Sequence, residues 1–161
     1  YGNVAGQGIG LYRDSISSGE LRVKFEPNEH RTFYKVDGIN GEPQFSSVEE
    51  KNFDPRVRPW FQAGWENVDD IWTSVYIDFK THNLVATRAR RIEGEYEEFE
   101  GVVATDMSLN SLNDFIGNLN ISENAIAFIV ESNGMLIASS HSSNIRQDEN
   151  EIGRASCRER V

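Results

Sequence analysis

Cysteine is almost absent: Cys157 is the single one in 161 residues. No intramolecular disulfide can staple the fold, and no cysteine framework exists to hold a metal. Basic charge is also short. Sixteen Lys and Arg against 26 Asp and Glu give a formal charge of −10 and a pI near 4.8. That balance argues against nucleic acid or an anionic membrane surface as partner. No apolar run is long enough to span a bilayer, and no signal peptide opens the chain. The start, Tyr1-Gly2-Asn3-Val4, lacks both a methionine and a charged n-region, and reads as the interior of a longer protein.

Catalytic patterns are missing too. His30, His82 and His141 are scattered through polar segments without metal-ligand spacing, so they are expected to be solvent-exposed. The acidic pairs Glu49-Glu50, Asp69-Asp70 and Glu97-Glu98 read as solvated loop charge. There is no nucleophile elbow or phosphate loop; the glycines of Gly6-Gln7-Gly8-Ile9-Gly10 read as strand-edge residues. No enzyme, cofactor or metal site is therefore expected.

The last ten residues, 152–161, break sharply with the acidic chain before them. Their back-translation resembles one reading frame of a common sequencing adapter, and they are read as non-native. Without their three arginines and one glutamate the formal charge moves from −10 to −12, and the cysteine is lost as well. A cysteine-free body is compatible with an oxidising compartment.

What the sequence does have is one dense stretch, Phe53-Asp54-Pro55-Arg56-Val57-Arg58-Pro59-Trp60-Phe61-Gln62-Ala63-Gly64-Trp65. It holds two of the four prolines and two of the three tryptophans. Proline fixes φ and favours the first helical position, so a short helix is expected to begin at Pro59, with Arg58 at its mouth beside Trp60. A planar guanidinium next to an aromatic wall suits a carboxylate ligand. An ordinary proline turn with a structural ion pair remains the alternative.

Around it, Leu11–Arg13, Leu21–Phe25 and Thr32–Val36 alternate between turn residues and predict an antiparallel meander. Residues 37–52 read as a polar loop. Next comes a predicted strand with two faces. Trp72, Ser74, Tyr76 and Asp78 share one, either lining a polar cavity or facing solvent, while Thr73, Val75, Ile77 and Phe79 form a core face. Strands over Leu84–Ile92 and Phe99–Asp106 flank an acidic turn. Asp106 or Ser108 caps a helix carrying Leu109, Leu112, Phe115, Ile116 and Leu119. Apolar runs at Ala125–Glu131 and Met135–Ser139, joined through Asn133-Gly134, predict a hairpin that opens a second unit. The class is α+β, with a central antiparallel sheet.

Four motifs then occur in one order. Phe53–Phe61 resembles the Y-D-P-R-x-R-P-W-Y signature of bacterial double Cache sensor domains. Trp72-Thr73-Ser74-Val75-Tyr76-Ile77-Asp78 resembles their W-[ST]-x-x-Y-x-D strand. Gly101–Leu109 resembles their G-V-[VL]-G-x-D-x-S-L junction, and Ala127–Gly134 the hairpin of their second module. The resemblance covers roughly residues 8–150.

It implies an extracytoplasmic sensor for a small molecule, built from two PAS-like modules with central antiparallel sheets. Residues 1–107 would be the membrane-distal ligand-binding module. Residues 108–151 would hold the linking helix and the start of the membrane-proximal one. The family's N-terminal stalk helix would lie outside this sequence, as would the membrane helices and a chemoreceptor, histidine kinase or cyclase output. The resemblance leaves open whether the parent receptor is a homodimer. Carried over by position, Arg58 and Trp60 would bind a ligand carboxylate, and Tyr76 and Asp106 an amine, with Asp78 assisting. Trp72 and Ser74 would line the site. Phe53 and Phe61 stand where the signature has tyrosines, so two hydroxyl donors are absent there. The ligand class implied is an amino acid or related carboxylate or amine. The competing reading is a Cache-like module without a ligand of its own, relaying a partner protein's signal or acting as a spacer.

Overall fold

The alternating segments bounded by glycine and polar turns do form a meander, in the computed structural model of the chain, which describes residues 1–13, 15, 17–38, 41–119, 122 and 125–140. In order, the strands are β1 (Gly2–Asn3), β2 (Gly8–Arg13), β3 (Ser18–Lys24), β4 (Thr32–Asp37) and β5 (Gln44–Val48). A 3-10 turn at Pro55–Val57 leads into α1 (Pro59–Glu66). Then come β6 (Ile71–Trp72), β7 (Tyr76–Ile77), β8 (Leu84–Glu93), β9 (Phe99–Ser108), α2 (Leu109–Gly117), β10 (Phe128–Val130) and β11 (Leu136–Ser139). The chain divides into two units, one of Tyr1–Ile71 with Arg88–Ala104, the other of Trp72–Thr87 with the residues from Thr105 onward.

The first unit is built on an antiparallel sheet in the order β5-β4-β3-β2-β1-β9-β8-β6. Its register aligns Leu11 with Leu21, Leu21 with Tyr34 and Tyr34 with Phe45, so apolar side chains share one face across the meander. Strand β5 corrects the expectation of a loop over residues 37–52. Every one of its residues is exposed, so no buried face stamped an apolar alternation on the sequence.

Helix α1 starts at Pro59 as expected, with Arg58 as its extended N-cap. It buries Phe61 against Ala89 and Val102, all three without solvent exposure, and Trp60, Ile71 and Phe99 pack around them. Gly64 permits this docking: a Cβ there would lie 2.5 Å from Val102 Cγ1. Gly64→Ala is therefore expected to destabilise by about 1–3 kcal/mol through overpacking. That outweighs the gain of up to ~1 kcal/mol in helix propensity. A lower urea midpoint at unchanged slope checks it; a raised midpoint would contradict it.

In the second unit the strand expected over Trp72–Phe79 is broken. The β6 pairing ends at Trp72, β7 covers only Tyr76 and Ile77, and β7 pairs with the start of β8 through Tyr76↔Val85 and Ile77↔Leu84. Alternation does not run through the break, so the expected core face fails. Thr73, Val75 and Phe79 are half-buried and Ile77 is exposed.

Ser108, not Asp106, caps α2: its Oγ accepts from the Ser111 N–H at 3.1 Å. Of the five apolar residues at helical spacing, Leu109 and Ile116 are buried, whereas Phe115 is exposed and Leu119 lies beyond the helix end. The hairpin β10–β11 turns as read. Gly134 has φ of 85°, a conformation open to glycine, and its N–H donates to Glu131 O at 2.9 Å. Asn113 Oδ1 of α2 accepts from the Ser139 N–H at 3.0 Å, tying the helix to the hairpin. Residues 152–161 and His141 lie outside the described residues.

Candidate functional site

The signature stretch is anchored from below. Lys24 is 2% exposed, and its ammonium donates to Phe53 O at 2.6 Å and Asn52 Oδ1 at 3.2 Å. The Arg31 guanidinium lies 3.7 Å from the Phe53 ring centroid and donates twice to Glu49 at 2.7 Å. Both side chains of that pair are buried, at 9% and 6% exposure. Glu49 thus corrects the reading of Glu49-Glu50 as solvated charge: a buried arginine holds it. Asp70 is likewise engaged, at 2.9 Å from Arg88. His30 and His82 are exposed, and His30 Nδ1 lies 2.7 Å from Glu49 O.

Asp54 serves two roles. Its Oδ1 accepts from the Arg56 N–H at 2.9 Å, capping the 3-10 turn, and its Oδ2 accepts from Arg56 Nη2 at 2.8 Å. The first arginine of the signature is thereby committed to a structural pair. Hydrogen bonds from the Arg56 side chain hold the Asp54 carboxyl below its ordinary value. A depressed folded pKa means the contribution is present above the unfolded value and fades as pH falls through the folded one. Asp54→Asn should therefore be slightly less stable than the native chain at neutral pH and converge with it in acid. Parallel unfolding curves at every pH would contradict this. The pair is partly exposed, so the difference at neutral pH is expected to be small.

Arg58 and Trp60 belong to the first unit, flanking Pro59, and both side chains are half-buried. Arg58 caps through its backbone: its carbonyl accepts from the Phe61 and Gln62 N–H groups at 3.1 Å, with no side-chain cap bond. The side chain stands at the positive end of the helix, which together with its own charge favours an anion. Trp60 meets Phe61 edge-on at 5.7 Å. Phe61 itself is wholly buried and Phe53 nearly so, and both pack rather than present a surface.

Tyr76, Asp78 and Asp106 belong to the second unit. Tyr76 on β7 and Asp106 on β9, 30 residues apart in sequence, meet around Thr87 on β8. The Tyr76 hydroxyl lies 2.7 Å from Thr87 Oγ1, which donates to Asp106 Oδ1 at 2.5 Å. Thr87 has no solvent exposure, while Asp106 is exposed. Sequence reasoning missed Thr87, although Val85, Thr87 and Ala89 alternate on the buried face of β8 and a hydroxyl among them was a usable signal. Asp78 is not brought into this group. Its Oδ1 accepts from the Thr81 N–H at 2.7 Å and the Thr81 hydroxyl at 2.8 Å, closing the turn before β8. Trp72 and Ser74 are both exposed. Among the described residues no cluster of His, Cys, Asp and Glu could hold a metal, and no helix is long and apolar enough to cross a membrane.

No protein-family profile matches the chain. It is 30% identical over 100 residues to the methyl-accepting chemotaxis protein PscA of Pseudomonas syringae pv. tomato, covering 62% of this chain and 16% of that protein. It is 23% identical over 133 residues to adenylate cyclase 1 of Rhizobium meliloti, covering 83% of this chain and 19% of that one. Among solved structures, it matches the ligand-binding domain of the Pseudomonas fluorescens chemoreceptor CtaA in complex with L-valine. That match has a TM-score of 0.50 and 25% identity over 65% of this chain and 47% of that domain. A Campylobacter jejuni chemoreceptor ligand-binding domain in complex with 4-methylisoleucine matches at a TM-score of 0.50 and 14% identity, covering 73% of this chain and 43% of that one. The chain spans under a fifth of these curated relatives and under half of these solved domains. In fold, the described part of the chain is similar to the ligand-binding domains of bacterial chemoreceptors.

Proposed function

We propose that this is the extracytoplasmic ligand-binding part of a bacterial transmembrane receptor, and that it binds an amino acid or a related carboxylate or amine. Arg58 and Trp60 take the carboxylate; Tyr76 and Asp106 take the ammonium. Trp72, Ser74 and Asp78 are further ligand contacts, and Phe53 and Phe61 support the site by packing. Residues 1–107 form the membrane-distal module, and 108–151 the linking helix and the opening of the membrane-proximal one. Anchoring helices and output lie outside the sequence. A chemotaxis or a cyclase output fits the relatives, and the chain itself carries no catalysis.

The observation that carries this reading is the convergence of Tyr76 and Asp106 on one buried hydroxyl. A carboxylate supported by hydroxyls on a sheet face is a receptor for a cation with N–H donors. Two chemoreceptor domains of this fold solved with valine and with 4-methylisoleucine support the ligand class. Ligand would signal by binding one of two conformations better than the other.

The test is a thermal-shift screen of the chain against the twenty amino acids, small carboxylates and amines. A ligand at a hundred times its Kd stabilises by about 2.7 kcal/mol. A hit that is lost in Asp106→Ala supports the reading. A flat screen of folded protein counts against it and favours a module that relays a partner's signal.

A further inference from the structure

We infer that Thr87 is the positioning residue that makes the Tyr76–Asp106 pair an acceptor-only site, and so sets its preference for amines. The inference rests on the amino-acid reading above and adds a residue to it.

The count of protons among the three side chains fixes the direction of each bond. Thr87 Oγ1 lies 2.5 Å from Asp106 Oδ1 and 2.7 Å from the Tyr76 oxygen. A carboxylate only accepts, so the single threonine proton goes to Asp106. Thr87 then has no proton for Tyr76, and the tyrosine must donate in the 2.7 Å contact. Its other contact in the group, 3.4 Å to Asp106 Oδ1, would use the same proton in the same direction. The chain of donors therefore runs from Tyr76 through Thr87 to Asp106. Toward any further group, the tyrosine oxygen and the carboxylate can only accept. Two acceptors side by side match an ammonium and reject a second carboxylate or carbonyl.

Two hydrogen bonds to Thr73 fix the backbone that carries the Thr87 hydroxyl. The Thr87 N–H donates to Thr73 Oγ1 at 3.1 Å, and its carbonyl accepts from the Thr73 N–H at 2.9 Å. The side chain is fully buried, so no water competes for its proton. Replacing it with valine keeps the shape and removes the relay. The tyrosine proton is then released to point elsewhere, and Asp106 loses a charge-assisted bond.

The experiment is calorimetric titration of the whole chain and its variants with the twenty L-amino acids. Each amino acid that binds is also titrated as the acid lacking its amino group. Thr87→Val is expected to weaken amino-acid binding about tenfold and to reduce the preference over the amino-free acid by a similar factor. Thr87→Ser, which restores the hydroxyl, should stay within about threefold of the native chain on both readouts. Should Thr87→Val fail to fold, Thr87→Cys replaces it; its weakly donating thiol should weaken amino-acid binding more than Thr87→Ser does, and a loss no greater than that of serine overturns the role. Amino-acid binding that is unchanged in the valine variant, or lost equally in the serine variant, overturns the role of Thr87 and leaves the amino-acid reading standing. A native chain that binds none of the twenty overturns both.

Discussion

Arg58→Ala is expected to weaken amino-acid binding by roughly thirtyfold or more while leaving the fold intact. The two halves of that expectation have separate causes. The helix start survives because the Arg58 backbone, not its side chain, receives the first helical N–H groups, and because Pro59 sets the first turn. Binding suffers because a guanidinium gripping a carboxylate through two parallel donors is among the stronger polar contacts. Truncating one partner of a hydrogen-bonded charge pair costs about 2–5 kcal/mol, and thirtyfold is near the lower end of that range. Arg58→Lys should fall between, keeping charge but losing the planar fork. Arg56 cannot substitute, since Asp54 occupies it. Matched titrations of native and variant chains at equal melting temperature give the answer. An unchanged Kd would remove Arg58 from the site.

The largest expected effect on stability is at Phe61. Phe61→Ala should cost about 3–5 kcal/mol, as for other fully buried aromatic rings. The ring has no exposure and sits edge-on to Trp60, Trp65 and Phe99 at centroid distances of 5.7, 6.1 and 5.8 Å. It also touches the strands that carry Ala89 and Val102, so its loss opens a cavity between α1 and the sheet. Domains are stable by only about 5–15 kcal/mol, so a large share of the margin is at stake. Urea unfolding of native and variant chains measures it directly. A loss under about 1 kcal/mol would show that the ring is not in the core. A consequence follows for the signature: at this position the chain uses its aromatic residue for packing, and a tyrosine hydroxyl there would need a partner inside the core.

Much of the fold was legible because local chemistry and burial agreed. Pro59 after an extended Arg58, Ser108 before a helical run, and Asn133-Gly134 between apolar runs each act within a few residues. Alternation placed Tyr76 on a face able to line a polar cavity, but its pairing with Asp106 came only from motif resemblance, since nothing local shows that positions 30 residues apart will share a hydroxyl. What stayed hidden depends on distant partners. β5 is an exposed edge strand whose residues bear no apolar alternation. The Arg31–Glu49 pair joins residues 18 apart, and in sequence Glu49 looks like any loop acid. The break between Trp72 and Tyr76 shifted the faces of a segment that a period of two treats as continuous. Thr87 was hidden among the apolar residues of β8, and only the structure shows its hydroxyl aimed at two polar groups.

The measurement that tests the account most directly is titration of the native chain with amino acids, repeated on Arg58→Ala and Asp106→Ala. Saturable binding of at least one amino acid is expected, with loss in both variants and retention of fold in both. Binding that survives either substitution, or a folded native chain that takes no amino acid, would contradict the account.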